Sequence, residues 1–379
     1  MKQVKAPILE IHGTGVHNRG AELMAIAISE KIRSKYPEAK IAVASTFGSL
    51  ADIKRYGFLT TTVLESKKQK TIISYIMSIL SGNTIGPKKI DIVLDASGFA
   101  FSDQWSDWAA RKLTNKMNSE SRLHQKLILL PQALGTYEKP AVNKWALKLF
   151  ERASLVFARD NRSYELTKEL IHNTDKLKQC PDFTINVKPI AKPDINLPEN
   201  FVAIVPNVRM LDKIVDKNEY IDFLKKSIDL INLNNITPVF ILHDGYEDIE
   251  VIKLLGSKYE NVAIIQDQDP RVLKWILGQS KFVIGSRFHA LVSSLSQGVP
   301  CIGAGWSHKY PELFKDFDNS EGLIDDLKDI DKLEFLIEKL SQNKYREDKS
   351  RDINSAANRI KTEVNQMWEL VFKQIDNFY

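Results

Sequence analysis

Only two cysteines, Cys180 and Cys301, occur among the 379 residues. Thiols so few and so far apart support neither a disulfide framework nor a zinc cluster, and a reducing compartment is the default reading. Long apolar runs are missing too. The opening MKQVKAPILEI lacks the apolar core of a signal peptide, and no stretch is long enough to span a bilayer, so the expected location is the cytoplasm. There is no arginine-rich or lysine-rich arm, and with a net charge of +5 nucleic acid is not an expected partner. An acidic ligand or a phospholipid surface suits that balance better. The glycines never fall as G-x-G-x-x-G, which removes the dinucleotide fingerprint. No Ser/His/Asp or Cys/His arrangement is visible for covalent catalysis, and no cluster of carboxylates or histidines requires a metal. A hydrophobic share of 43% and a charged share of 27% leave an ordinary globular protein, long enough for two domains with cores of their own.

What the chain does have is alternation of strand and helix. Residues 8–11 read as a strand entering a glycine-rich loop from His12 to Gly20. A helix follows with Ala21, Met24, Ala25, Ile28 and Ile32 along one face, and Pro37 stops it. A strand at 40–44 completes a βαβ unit whose loop lies at the carboxyl end of its first strand, where open sheets bind ligands. A tight turn is the plainer use of those glycines. Residues 71–80 are mostly apolar and follow Lys67-Lys68-Gln69-Lys70. They read as a buried core helix with a solvated entry; contact with anionic lipid is the alternative. Further strands fall at 90–94, 127–130 and 155–158. Residues 186–199 interleave three prolines with charge and form a linker by composition.

A second series then begins: strand 201–205, helix 218–234, strand 238–242, helix 246–256, strand 261–265 and helix 270–279. Such alternation implies an α/β protein with parallel sheets wrapped by helices. The expected domains are residues 1–188 and 189–354. From about 355 to 378 a long amphipathic helix carries Ile360, Val364, Met367, Trp368, Val371 and Ile375 on one stripe, expected to pack across both domains.

The densest chemistry lies between Lys281 and Lys309. A buried strand at 282–284 ends at Gly285, and Ser286 is expected to cap a helix with Phe288, Leu291, Val292 and Leu295 at helical spacing. Gly298 closes that helix, and Pro300 blocks its continuation. Arg287 and His289 then fall in the first turn, where backbone dipole, guanidinium and imidazole together make an anion site. His308 and Lys309 add donors downstream. Arg209 lies just past the strand 201–205, at the same carboxyl edge, so Arg209 and Arg287 can converge. For each arginine an ion pair with an acidic neighbour is the plain alternative, and for His289 a structural hydrogen bond.

Gly285-Ser286-Arg287-Phe288-His289-Ala290, followed by Gly298-Val299-Pro300 and then Lys309, resembles the C-terminal signature of the polysaccharide pyruvyl transferase family. Asn18-x-Gly20-x-Glu22 is similar to that family's N-terminal N-x-G-D-E, with Ala21 in place of the first acidic residue. Asp95 to Phe99 resembles its small-residue loop, with the paired glycines reduced to Ser97-Gly98. Pro131 to Gly135 is similar to its segment before G-P. Arg159-Asp160 with Ser163, and Pro181-Asp182, resemble its R-(D/E)-x-x-S and P-D patterns. Arg209 matches the arginine the family places after this strand.

The resemblance implies two Rossmann-like domains in a GT-B-like arrangement, with the active-site cleft between them. The N-terminal domain would take the acceptor saccharide and the C-terminal domain the donor. The implied reaction moves pyruvate from phosphoenolpyruvate onto a sugar of a lipid-linked glycan, giving a cyclic ketal in exopolysaccharide, capsule or cell-wall polymer biosynthesis. Peripheral contact with the cytoplasmic face of the membrane follows from such an acceptor. Arg209, Arg287, His289 and Lys309 are the implied donor-binding residues. Arginine forks suit both the phosphate and the carboxylate. His289, assisted by Arg287, is the implied general acid for the methylene carbon, and a bound dianion favours its protonated form. Asn18, Glu22 and Asp182 are implied acceptor contacts; for Arg159 and Asp160 an ion pair or a helix cap is the favoured reading. Neither a cofactor nor a metal is expected beyond the donor itself. Two other readings stand beside this one: a GT-B glycosyltransferase using a nucleotide sugar, and a non-catalytic saccharide-binding relative. Residues 286–297 contain no acidic side chain of the kind those glycosyltransferases use for the ribose.

Overall fold

The computed structural model of the protein describes residues 6–62, 69–214 and 216–379. Lys67 and Lys68, and the first five residues of the opening segment, lie outside that range. The chain divides into two compact units. One takes the residues up to His17 with Met24–Phe183 and Glu363–Tyr379; the other takes Asn18–Leu23 and Thr184–Thr362.

The first unit is built on an eight-stranded sheet. Its strands are β1 (Ile8–His12), β2 (Lys40–Val43), β3 (Leu59–Thr61), β4 (Thr84–Ile85), β5 (Ile92–Asp95), β6 (Lys126–Gln132), β7 (Leu155–Ala158) and β8 (Leu177–Gln179). They lie in the order β4-β3-β2-β1-β5-β6-β7-β8, every pairing parallel. The helices between them are α1 (Arg19–Lys35), α2 (Leu50–Arg55), α3 (Gln69–Leu80), α4 (Trp108–Met117), α5 (Pro140–Arg152) and α6 (Asn161–Leu170). Parallel strands covered on both faces read as continuous apolar runs, which is why 92–95 and 155–158 are wholly buried. Val93, Leu129 and Val156 from the sheet pack on Leu113 and Met117 of α4 and Leu149 and Phe150 of α5. Pro140 opens α5 at the position where its missing N–H costs nothing, and Asp160 caps α6.

One expectation fails here. Helix α3 is not a core helix: Ile73, Ile76, Met77, Ile79 and Leu80 are exposed, and the face turned inward carries Ser74 and Ser78. The Ser74 hydroxyl donates to the Gly48 carbonyl at 2.9 Å, and Ser78 meets the Thr60 hydroxyl at 2.8 Å. Four residues apart, the two serines share one face, so their bonds decide which way the helix turns.

The second unit carries six parallel strands: β9 (Phe201–Val205), β10 (Thr237–Leu242), β11 (Ala263–Gln266), β12 (Val283–Gly285), β13 (Cys301–Ala304) and β14 (Leu323–Ile324). Their order is β11-β10-β9-β12-β13-β14. The helices that follow are α7 (Arg209–Lys213), α8 (Lys217–Leu233), α9 (Ile249–Lys253), α10 (Pro270–Gln279), α11 (Phe288–Leu295), α12 (Lys309–Asp316), α13 (Ile330–Ser341) and α14 (Asn343–Asp376). Ile204, Phe240, Ile284 and Ile302 pack on Tyr220 and Leu224 of α8 and on Leu336 and Ile337 of α13. The single helix expected at 246–256 is instead a 3-10 turn at Gly245–Asp248 and the short α9. The closing helix starts at Asn343, well before 355; its residues to Thr362 belong with the second unit and those from Glu363 with the first. Among the described residues, no helix is long and apolar enough to cross a membrane.

In each sheet the strand order reverses direction once: between β1 and β5 in the first unit, and between β9 and β12 in the second. Open parallel sheets bind ligands at the carboxyl ends of the strands flanking such a point.

Candidate functional site at the β9–β12 switch point

The loop after β12 carries the Gly285-Ser286-Arg287-Phe288-His289 segment. Ser286 does not cap the helix. Arg287 occupies the N-cap position in extended conformation without a side-chain cap bond, and α11 begins at Phe288. The carbonyl of Ser286 is held instead, accepting from Asn207 Nδ2 at 2.6 Å and from the Tyr310 hydroxyl at 2.9 Å. These bonds tie the loops that follow β9, β12 and β13. Burial, foremost, pushes the Tyr220 hydroxyl up to about 12. It stays a neutral group, accepting from the Asn207 backbone N–H at 3.0 Å.

Arg287 is buried and clamped. Its Nε donates to Asp248 Oδ2 at 3.1 Å and its Nη2 to Asp248 Oδ1, a fork-to-fork pair, while Nη1 donates to Asp244 Oδ2. Burial alone would raise the Asp244 carboxyl. Arg287 first, then His243 and the Arg19 backbone N–H, outweigh it and hold Asp244 well below the usual carboxylate range. Burial works against the Arg287 charge as well, and the two aspartates reverse that effect, holding its pKa above the ordinary value. Asp248 also accepts from the Val208 backbone N–H at 3.0 Å, fastening the loop after β9. Asp244 and Asp248 are the residues sequence reasoning missed. The signal was present in His243-Asp244-Gly245-Tyr246-Glu247-Asp248, an acidic loop directly after an apolar strand.

Residues 18–23 join this unit through the same aspartate. Asn18 Nδ2 donates to Asp244 Oδ2 at 2.8 Å and the Arg19 backbone N–H donates to Oδ1 at 3.0 Å. Asn18 Oδ1 meanwhile accepts from the Ala21 N–H at 2.8 Å, so one side chain both caps α1 and holds Asp244. Glu22 is fully buried and paired with Arg19 at 2.5 Å. Gly20 has a steric reason: an added Cβ would lie 2.2 Å from Nδ1 of His289. The Asn18-x-Gly20 motif and the Arg287-x-His289 motif are therefore one packed constellation.

The remaining expected residues are placed differently. Arg209 opens α7, its backbone N–H donating to Asn207 Oδ1 at 3.0 Å, but its guanidinium is more than half exposed and meets Asp212 at 3.4 Å. It shares loop contacts with Arg287 but not its carboxylates. Lys309 Nζ lies over the rings of Trp306, Tyr310 and Phe288 at 5.0, 5.3 and 5.4 Å, an aromatic seat for its charge. His289 sits two residues into this region, edge-on to Phe288 with ring centres 5.5 Å apart. Asp182 belongs to the first unit, buried, and accepts from Arg159 Nη1 at 3.2 Å. Asp160 accepts from the Ser163 N–H at 2.7 Å as the cap of α6, so the ion pair and the cap favoured for this stretch are both present. Among the described residues, no group of three His, Cys, Asp or Glu side chains could hold a metal ion.

Two parallel-sheet α/β units, each with one reversal of strand order, define a protein of the GT-B-like fold class. Solved structures of similar fold cover nearly all of the chain. The UDP-GlcNAc 2-epimerase of Neisseria meningitidis bound to UDP-GlcNAc is 15% identical, with a TM-score of 0.59 over 97% of this chain and 100% of that one. MnaA of S. aureus, in a structure with UDP, is 12% identical, with a TM-score of 0.58 over 96% and 97%. HepE of Anabaena, in complex with UDP and glucose, is 12% identical, with a TM-score of 0.56 over 97% and 100%. At such identity they speak for the fold alone. No curated protein matches the chain in sequence. The sequence profile of polysaccharide pyruvyl transferase matches residues 18–308, and the chain belongs to that family. It is a transferase of polysaccharide biosynthesis.

Proposed function

We propose that this transferase moves pyruvate from phosphoenolpyruvate onto a sugar of a lipid-linked glycan, forming a cyclic ketal. The observation that carries this reading is the packing of the Asn18-x-Gly20 motif onto Arg287 and His289 around Asp244. A guanidinium has five N–H donors, and the aspartates engage Nε, one N–H of Nη1 and one of Nη2. Among the described residues, two N–H groups of Arg287 are left for the donor, in an orientation the fork with Asp248 fixes. Two carboxylates outnumber one guanidinium, so much of the charge that attracts a trianionic donor comes from Arg209, Lys309 and the first N–H groups of α11. His289 delivers the proton to the methylene carbon as general acid. The adjoining carbon becomes electrophilic, two sugar hydroxyls add there, and phosphate leaves; one hydroxyl proton balances the new methyl group and the other leaves with phosphate.

A lipid-linked acceptor is supported by α3. Its exposed Ile73, Ile76, Met77, Ile79 and Leu80 form an apolar face, and from Ser66 to Ile90 the sequence holds Lys67, Lys68, Lys70, Lys88 and Lys89 with no acidic residue. Of these lysines only Lys70 lies within α3; an exposed apolar helix face within a basic stretch of sequence suits an anionic bilayer surface. Beneath it, Val16, His17, Ser45 and Met77 help to line a cavity of about 680 Å³.

Thermal-shift titration with phosphoenolpyruvate, UDP and UDP-GlcNAc tests the donor. Stabilisation by phosphoenolpyruvate alone is expected; stabilisation by the nucleotides with none from phosphoenolpyruvate would assign nucleotide-sugar chemistry instead. Sedimentation with vesicles tests the surface, with binding expected for anionic vesicles and lost in Ile76→Glu/Leu80→Glu.

A further inference from the structure

The cavity of about 680 Å³ beneath α3 lies wholly within the first unit. Small-molecule sites span about 300–1,000 Å³, so its size suits a ligand. It forms at the carboxyl edge of the sheet. There His12, last of β1, lies 2.7 Å from the carboxylate of Asp95, last of β5, which ties the strand ends together. Beyond them the Val16 N–H donates to the Phe47 carbonyl at 2.8 Å, and a Cβ on Gly48 would fall 2.8 Å from Cγ2 of Val16, so the loops after β1 and β2 meet closely. Val16 and Ser45 line the cavity from those loops, Leu50 and Ala51 from α2, and Ile73 and Met77 from α3.

Much of the wall is apolar, and three of its polar side chains are spent on the fold. Ser49 and Asp52 satisfy each other in the capping box of α2, with Ser49 Oγ donating to Asp52 Oδ2 at 2.6 Å, and Ser74 donates to the Gly48 carbonyl. Ser45 differs. It is 1% exposed, and its Oγ has no hydrogen-bond partner among the described residues. A buried hydroxyl of that kind is uncommon and points to a ligand that brings an oxygen to it. At α3 the lining opens outward. Ile73 and Met77, 54% and 48% exposed, belong both to the cavity and to the apolar face that runs on to Ile76 and Leu80 along one side of the helix. The cavity therefore joins a buried hydroxyl at the sheet edge to the exposed apolar surface of α3.

We propose that this cavity binds a glycolipid, holding the hydrocarbon of the lipid carrier nearest its saccharide head. The Ser45 hydroxyl donates to an oxygen of the head, and the hydrocarbon passes Ile73 and Met77 to the apolar face of α3. A free sugar would leave the apolar wall unmatched, and a bare hydrocarbon would leave Ser45 unmatched. Continuity with the face of α3 gives the hydrocarbon its way out to a bilayer. The assignment rests on the lipid-linked acceptor of the reading above and names the part of it that the first unit holds.

Calorimetric titration of the full chain with methyl, butyl, hexyl and octyl glucosides, each below its micelle concentration, tests the assignment. Each buried methylene tightens binding about fourfold, so affinity should rise at least about a hundredfold from butyl to octyl glucoside. Ala51→Trp, at an exposed position of α2, fills the cavity and should abolish that rise with melting temperature kept. Should it not fold, Thr46→Trp, exposed on the loop after β2, fills the cavity from there. Ser45→Ala should weaken octyl glucoside about two- to tenfold, the loss of one neutral hydrogen bond. Ile76→Glu/Leu80→Glu lies outside the cavity and should bind octyl glucoside while no longer sedimenting with anionic vesicles. Absence of a rise with alkyl length, or a rise that survives the tryptophan variant, would overturn the assignment. Tighter binding of octylphosphocholine than of octyl glucoside would give the cavity to membrane phospholipid and overturn it as well. Phosphoenolpyruvate is titrated separately. A protein that binds it but shows no dependence on alkyl length loses only the role of the cavity, whereas one that binds the glucosides and no phosphoenolpyruvate loses the pyruvyl-transfer reading and keeps that role.

Discussion

Replacing Gly20 by alanine isolates the contact between the two motifs. Gly20 is the second residue of α1, in the first turn, so the preference of helix interiors for alanine does not apply there in full. The Cβ would lie 2.2 Å from His289 Nδ1, and ordinary contact begins at 3.4 Å, so ring and helix must part by about 1.2 Å. Overpacking of that kind costs about 1–3 kcal/mol, which sets the expected loss of stability. The variant should therefore fold. Displacing a proton donor by about 1 Å can cost about a hundredfold in rate, so kcat should fall by that order while phosphoenolpyruvate affinity changes little. Melting, calorimetric titration with phosphoenolpyruvate and single-turnover phosphate release read the three quantities separately. Wild-type turnover in folded Gly20→Ala would refute the assignment of His289, since the ring cannot stay where it is.

Other expectations follow from the same geometry. Arg287→Ala removes the cation shared by Asp244 and Asp248; leaving buried carboxylates unmatched should cost about 3–5 kcal/mol in urea unfolding, and an unchanged midpoint would deny the clamp. Glu10, buried, would be raised by burial, but Lys116 and Arg122 hold its pKa below the ordinary carboxylate value. Its contribution is thus present above about pH 4.3 and is lost as pH falls through the lower folded value, so the stability gap between wild type and Glu10→Gln should close in acid. A gap independent of pH would show that the pair is not ionised as described. If side chains supply the positive charge at the proposed donor site, turnover persists in EDTA; abolition reversed by magnesium would contradict that electrostatic account.

Much of the fold was legible because both sheets are parallel and covered on both faces, so strands such as 92–95 and 201–205 announce themselves as apolar runs ended by loops. Helix α3 misled because hydrophobicity was read as burial. Two serine hydroxyls, invisible to an apolar count, found partners in Gly48 and Thr60 and turned the apolar face outward. The Arg287-x-His289 segment could be read locally, but what holds it could not. Asp244 and Asp248 are 43 and 39 residues away, and only the adjacency of the loops after β9, β10 and β12 joins them. His12 and Asp95 are 83 residues apart and meet through strand register. Each closes an apolar run, so aligning the ends of the first and third predicted strands would have paired them.

The most direct test of the donor assignment is mass spectrometry of a lipid-linked glycan panel incubated with the protein and either phosphoenolpyruvate or UDP-sugars. The predicted result is a product one carboxyethylidene group heavier, formed with phosphoenolpyruvate and released phosphate, and none formed with a UDP-sugar. Transfer of a sugar from a UDP-sugar, with phosphoenolpyruvate inert, would contradict it.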